Sequence, residues 1–496
     1  MKKLKAFIAI IICAALLPTL PALRSGAYGG DYYINGRAER AAALGVTEEQ
    51  FDELVGLLRG SVALCKDKID ISSYNIAKSN ANALLLRDII MESPEAFHVA
   101  GLRYSSNSVR IINFIVSYNI DADGYREKLA ECEAAAERLI SGIDPSMPDA
   151  LKVLLVHDRL VTHCYYSNDY SEATGRYEPD DYTAYGALVR GKAICQGYCL
   201  ALTYLLNRVG IESYACNSVE LVHAWNIVFV DGEKYHVDPT WDDPLFDVPG
   251  KAGHWNLLVS SDGIYNSYPR NHDAFDYDVS PVSTRFDGFF WENSQAQFCL
   301  LNGCVYYIDN AARTLCLYDF ESDSSETVVD LSNAYWPAGP NYSYYVDCFS
   351  RLGCDGQYLY YSTSEGVYRY DPLREVSEPF FLPDMSEHSY FGVYGFTVED
   401  GVITCLASST PAMDYDTPKE YYTFTYEVAP AQLKGDIDGD GEITVGDALK
   451  ALRVAAKLLQ PTSALLALGD TDGDGEITVG DALKILRVAA KLAPSL

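Results

Sequence analysis

Apolar positions follow a helical period early in the chain, a strand period in its middle, and a helical period again at its end. Phe51, Leu54, Val55 and Leu58 fall at i, i+3, i+4 and i+7, the stripe of a helix with one buried face. Thr47 and Gln50 form a capping-box pair just ahead of them. A second helix is predicted over Tyr125 to Ile140, stopping at Gly142. A third opens near Ser146, with Pro148 and Asp149 in its first turn, and carries Leu151, Leu154, Leu155 and Val161. Phe97 to Ile120 alternates more as a strand does. Residues 31–145 therefore read as a mostly helical region, after which a core spans 146–284.

Within that core Gly191 precedes an apolar helix that opens at Cys195, carries Leu202, Leu205, Leu206 and Val209, and ends at Gly210. The run to Val230 reads as a strand, Asp231-Gly232 as a two-residue turn, and Glu233 to Asp238 as the returning strand. That turn sets Val230 opposite Glu233 and Trp225 opposite Asp238, which makes His223 the diagonal neighbour of Asp238. Diagonal residues lie roughly 7–8 Å apart at the backbone, within reach of long side chains. From 285 to 430, short Tyr- and Val-rich runs follow the turn dipeptides Asn302-Gly303, Asp355-Gly356 and Asp400-Gly401. Their blade-sized intervals predict a β-rich module, propeller-like or sandwich, although three copies fall short of a closed ring. Its tyrosines could meet glycans or peptides; cross-strand packing is the simpler reason for them.

The last stretch, 433–496, holds an internal repeat: Gly435 to Leu458 returns as Gly469 to Leu492, 34 residues on. Each copy opens Asp-x-Asp-x-Asp-Gly. The first supplies Asp436, Asp438, Asp440, Glu442 (through its carbonyl) and Asp447; the second supplies Asp470, Asp472, Asp474, Glu476 and Asp481. This spacing wraps oxygens around one hard cation, with glycine making the sharp turn, so two Ca²⁺ ions are expected. A solvated acidic loop does not explain two copies in one register, each followed by the same amphipathic helix. No cofactor is expected for catalysis.

Composition adds compartment and charge. Against 38 Lys and Arg stand 69 Asp and Glu, a net −31, which argues against nucleic-acid and anionic-membrane partners. Lys2, Lys3 and Lys5, the apolar run Ala6 to Leu17, and the small residues Ser25 to Ala27 form a secretory signal over 1–27. Cys13 follows Ile12, where a lipoprotein would need a small residue. No later stretch is long and apolar enough for a membrane span. An exported, extracellular protein is expected. Pairs such as Cys299 with Cys304 or Cys348 with Cys354 could form disulfides, or these thiols are simply buried.

Candidate chemistry gathers at Cys195. A thiol in a helix's first turn sees unpaired N–H groups and the positive dipole end, both of which favour thiolate. His223 supplies a base, Asp238 a carboxylate to orient it, and His236 on the same face is the alternative base. Cys199, one turn into the helix, reads as a core thiol. A zinc set of Cys195, Cys199, Cys216 and His223 has Cys-x₃-Cys spacing, unlike the usual knuckle.

Three motifs, Gly-Lys-Ala-Ile-Cys195-Gln-Gly-Tyr, His223-Ala-Trp-Asn and His236-Val-Asp238-Pro-Thr-Trp-Asp-Asp-Pro, resemble a transglutaminase-like domain of the papain-like cysteine superfamily. The match covers about 150–270, and Ser93-Pro94 with His157-Asp158 resembles the N-terminal half of bacterial members. The resemblance implies Cys195 as nucleophile, His223 as general base, Asp238 as its orienting partner, and acyl transfer on protein or peptide amides, by hydrolysis or cross-linking. The oxyanion would sit on the Cys195 N–H and a second donor, Gln196 or Tyr185. The repeat over 435–492 resembles a type I dockerin, a module that docks onto a cohesin of a scaffold protein, as in cellulosome-like complexes that degrade polysaccharide. Family contacts carry over to Val445, Gly446, Arg453 and Lys457 and to Val479, Gly480, Arg487 and Lys491, where Val-Gly replaces the hydroxyl residues of many members. Multidomain α+β architecture follows: a papain-like core with a helical N-terminal part, a β module and an all-α, EF-hand-like dockerin. The competing reading is a non-catalytic, scaffold-docked adaptor for protein or glycan. Direct polysaccharide cleavage lacks a carboxylate pair.

Overall fold

The computed structural model describes residues 36–496 apart from 219, 244–247, 266–271, 273–282, 302, 321, 337–347, 373, 385–391, 400, 409–420, 429–433, 438–441, 462 and 494–496. The expected signal segment, 1–27, lies outside the described residues. Two compact units form, one from the chain up to Asp247 with Lys251–Phe298, the other from Val248–Gly250 with Cys299–Leu496.

In the first unit α1 (Arg37–Leu44), α2 (Glu48–Ala63) and α3 (Asn80–Met91) share a core with a three-stranded antiparallel sheet, order β1-β3-β2. Its strands are β1 (Lys68–Asp70), β2 (Val99–Ser106) and β3 (Ile111–Tyr118). The capping box ahead of α2 is formed both ways: Gln50 N–H donates to Thr47 Oγ1 and Thr47 N–H to Gln50 Oε1, each at 3.1 Å. Phe51, Leu54, Val55 and Leu58 are all buried. The alternation over 97–120 resolves into the β2–β3 hairpin, so this region is less helical than its composition suggests. α4 (Ala122–Leu139) starts ahead of Tyr125 because Asp121 caps it, its Oδ1 accepting from Gly124 N–H at 2.9 Å. α5 (Asp149–His163) is buried along almost its whole length.

Next come a two-residue strand β4 (Tyr165–Tyr166), α6 (Ala184–Val189), β5 (Lys192–Ala193), which pairs in parallel with β4, and α7 (Cys195–Arg208). A four-stranded antiparallel sheet follows, of β6 (Ser213–Ser218), β7 (His223–Val230), β8 (Glu233–Val237) and β9 (Leu257–Val259), in that order. The helix α8 (Pro239–Asp242) follows β8 and α9 (Ser261–Tyr265) follows β9. Asp231 and Gly232 sit at φ 52° and 81°, the left-handed pair that a two-residue hairpin turn of matching twist requires. Val230 duly faces Glu233, and Asn226 faces Val237.

The second unit carries three antiparallel sheets whose strands neighbour one another in chain order. The first holds β10 (Cys299–Leu301), β11 (Cys304–Asp309), β12 (Thr314–Asp319) and β13 (Ser324–Asp330). The second holds β14 (Leu352–Cys354), β15 (Leu359–Thr363), β16 (Gly366–Asp371) and β17 (Val376–Phe381). In the third, β18 (Gly392–Glu399), β19 (Val402–Ser408) and β20 (Tyr421–Glu427) complete the module. Gly303, Gly356 and Gly401 each have positive φ between the first and second strands of a sheet, so the three dipeptides mark equivalent hairpins. Tyr306, Tyr307, Tyr360 and Tyr361 are buried, which assigns these tyrosines to packing. The C-terminal repeat forms α10 (Val445–Ala455), α11 (Ser463–Gly469) and α12 (Val479–Ala489).

The chain is thus a multidomain α+β protein with several separate sheets. All twelve described cysteines are free thiols, and Cys299 faces Tyr306 rather than Cys304. Among the described residues no helix is long and apolar enough to cross a membrane.

Candidate active site

Two backbone bonds deliver Cys195 to the start of α7. Ser167 N–H donates to Ala193 O at 2.8 Å and Ile194 N–H to Asp181 O at 2.9 Å, which pins the strand that feeds the helix. No side chain caps α7, and its first internal bond runs from Tyr198 N–H to Ile194 O at 3.1 Å. Cys195 therefore sits among first-turn amides at the positive dipole end, partly exposed. Gly197 is demanded by this packing: a Cβ there would lie 2.7 Å from both the Ala193 Cβ and the Asp181 carbonyl.

His223 is the first residue of β7, and Asp238 immediately follows β8. Their side chains meet with His223 Nε2 2.6 Å from Asp238 Oδ2. Asp238 Oδ1 accepts from the N–H groups of Thr240 at 3.0 Å and Trp241 at 3.2 Å, so the carboxylate also caps α8. The Cys195 thiol also bears on the His223 ring, after the Asp238 carboxylate, in raising its pKa. Since Nε2 is on Asp238, Nδ1 is the ring nitrogen left for the thiol. Trp241 stacks on the His223 ring at 4.7 Å and 16°, fixing its plane. Burial alone would lower the His223 pKa, but the Asp238 carboxylate and the bonds to Asp238 and Cys195 outweigh it and raise the group to about 10. Burial would raise Asp238; the facing His223 and His272 instead hold it well below the usual carboxylate range. The arrangement can carry a proton from thiol to imidazole while the carboxylate stabilises the imidazolium.

Helix and strand are locked together by residues that the sequence motifs contain but do not explain. Asn226 Nδ2 donates to Cys199 O at 3.0 Å and Thr203 Oγ1 at 2.9 Å, and Cys199 Sγ–H donates to Trp225 O at 3.2 Å. Cys199 is accordingly a buried core thiol, its pKa pushed well up by burial. His236 is no alternative base: it is buried, its Nδ1 accepts from Trp225 Nε1–H at 2.9 Å, and burial with nearby His272 lowers it to about 3. Tyr185 is not an oxyanion donor, because its hydroxyl donates to Glu131 Oε2 at 2.7 Å. Among the described residues the zinc set of Cys195, Cys199, Cys216 and His223 does not gather as a group. His272, by contrast, lies 2.8 Å from Asp238 Oδ2 through Nε2, a contact no spacing in the sequence announces.

The two repeat loops share one hydrogen-bond scheme. Asp447 accepts from Ile437 N–H and Thr444 N–H, and Asp481 from Thr471 N–H and Thr478 N–H, all at 2.8 Å. Thr444 and Thr478 cap α10 and α12, which therefore begin at Val445 and Val479. In the second loop Asp470 Oδ2 accepts from Gly475 N–H at 2.8 Å, and Asp474 Oδ1 from Glu476 N–H at 2.9 Å. One oxygen each from Asp470, Asp472 and Asp481 lies within 4.8 Å of the others, a span that calcium bonds of about 2.3–2.6 Å can bridge. These residues fit a hard cation. Asp436 and Asp447 are buried in the first loop and Glu442 is exposed, as is Glu476 in the second; Asp438 and Asp440 lie outside the described residues. Val445, Gly446, Arg453 and Lys457, with Val479, Gly480, Arg487 and Lys491, are all exposed.

No family model matches the chain, and no curated protein does. Among solved structures, one described as a "Crystal structure of a TGase" is similar, with 16% identity over 33% of this chain and a TM-score of 0.21. The chain spans about half of that structure's length, 48%.

Proposed function

We propose that the chain is a secreted, cysteine-dependent acyl-transfer enzyme with a transglutaminase-like core, acting on protein or peptide amides. One observation carries the reading: His223 Nε2 is held by buried Asp238, while Cys195 stands at an uncapped helix start and is among the groups that raise the His223 pKa. His223, raised to about 10, already holds the proton of the Cys195 thiol, and the Cys195 thiolate attacks the amide carbonyl. His223 then gives that proton to the departing amine, leaving a thioester on Cys195. Water or a second amine next attacks the thioester and loses its proton to His223, releasing acid or new amide and restoring the Cys195 thiolate beside protonated His223. Hydrolysis is the favoured outcome, because free amine competes poorly with water unless a site is built for it.

The C-terminal repeat acts, in this reading, as a dockerin whose two Ca²⁺ ions organise the loops for binding a scaffold cohesin. Ile437, Ala451, Ile477 and Ile485 make a small core of its own. Outside that core the two helices leave matching leucines in solvent, Leu449 51% and Leu483 56% exposed, a placement that favours a partner surface.

Mass spectrometry of a glutamine-containing protein, incubated with wild type or Cys195→Ala and with or without a primary amine, tests the chemistry. Deamidation, cleavage or amine incorporation that depends on Cys195 is expected. Identical products from both proteins would overturn the reading.

A further inference from the structure

We infer that His272 is a positioning residue: it fixes the Asp238 carboxylate, and through it the ring of His223, in the geometry that serves Cys195. The inference rests on the thiol–imidazole reading above and deepens it. Asp238 Oδ2 is shared, with His223 Nε2 at 2.6 Å and His272 Nε2 at 2.8 Å, while Oδ1 is taken by the N–H groups of Thr240 and Trp241. Two groups therefore meet each oxygen, and the carboxylate has no second orientation of equal energy. Take His272 away and Oδ2 keeps His223 alone, in a place where Asp238 is fully buried and water does not replace the lost donor.

The ring's surroundings leave it one polar contact among the described residues, to Asp238. His272 is fully buried, its ring 3.7 Å from that of Trp241 and 4.8 Å from that of Trp225. Among the described residues its Nδ1 has no hydrogen-bond partner. Its one bonded nitrogen faces Asp238, so His272 acts on Cys195 only through Asp238 and His223.

Peptide-resolved iodoacetamide labelling of Cys195 in the full-length protein tests this, comparing wild type, His272→Phe, His272→Gln and His223→Asn. Phenylalanine keeps the aromatic packing and removes the donor; glutamine returns an amide N–H near the Nε2 position and gives up the stacking. Labelling of Cys195 is expected to slow about tenfold or more in His272→Phe and to recover to within about threefold of wild type in His272→Gln, the scale of one buried hydrogen bond. Wild-type speed in His272→Phe, or a slower His272→Gln than His272→Phe, would overturn the inference and assign the ring to packing. Should His272→Phe fail to fold by circular dichroism, His272→Gln decides alone, a tenfold loss counting against it. A wild-type Cys195 no faster than Cys65 defeats the underlying reading and this inference with it. A fast wild type with slow His223→Asn and unchanged His272→Phe defeats the inference alone.

Discussion

At Gly197 the requirement for a bare backbone is steric: α7 enters against the Ala193 methyl and the Asp181 carbonyl. Gly197→Ala should cost about 1–3 kcal/mol, the usual range for overpacking a tight site, and lower the thermal midpoint of unfolding measurably. The same substitution at Gly210, where a Cβ would meet nothing within 4 Å but φ is +79°, tests backbone strain alone. Cys195, His223 and Asp238 were legible before any coordinates because each depends on a local rule. A helix start places the thiol, and the Asp231-Gly232 turn fixes the parity that puts His223 beside Asp238. His272 was not legible. It lies 34 residues beyond Asp238 with no periodic partner, and only the tertiary fold brings it there.

Among the elements, α5 carries a buried charge network that the sequence signalled only as His157-Asp158. His157 Nδ1 lies 3.0 Å from Asp158 Oδ1 and its Nε2 3.2 Å from Asp242 Oδ2, while His254 Nε2 also approaches Asp158 Oδ1 at 2.9 Å. The network thus ties α5 to α8, the helix that Asp238 caps. Burial alone would lower the His157 pKa; its bonds to Asp158 and Asp242 raise it to about 9. A histidine raised above its unfolded value of about 6.5 contributes stability that is complete below that pH and is lost as pH rises through the folded value. The urea midpoint, followed by tryptophan fluorescence, should therefore fall between about pH 6.5 and 9. His157→Asn should be less stable at pH 6.5 and show a flatter profile. An unchanged slope would mean that His157 is neutral in the fold. Strand content in the N-terminal region was under-read for a different reason: β1 has three residues, too few for a period, and pairs with β3 across the intervening α3.

For the whole molecule, acidity has a location. The net charge of −31 includes ten acids in the two repeat loops, where Asp436, Asp447, Asp470 and Asp481 are buried. Burying carboxylates is costly unless something positive joins them, so the C-terminal module should depend on its metal. Differential scanning calorimetry with EGTA should lose one transition, that of the module, and leave the others in place. An unchanged trace would show that the repeat folds without calcium. A β-rich module was legible from the turn dipeptides, yet the number of its sheets and their strand order came only from the pairing, since uneven spacing hides which strands belong together.

Everything about the proposed chemistry depends on an activated Cys195, and the rate of its alkylation by iodoacetamide near neutral pH measures that directly. Cys65, Cys304 and Cys354 are partly exposed as Cys195 is, which makes them internal references of similar exposure. Cys195 should react at least about tenfold faster than these three, and His223→Asn should remove the difference. Four equal rates would contradict the account.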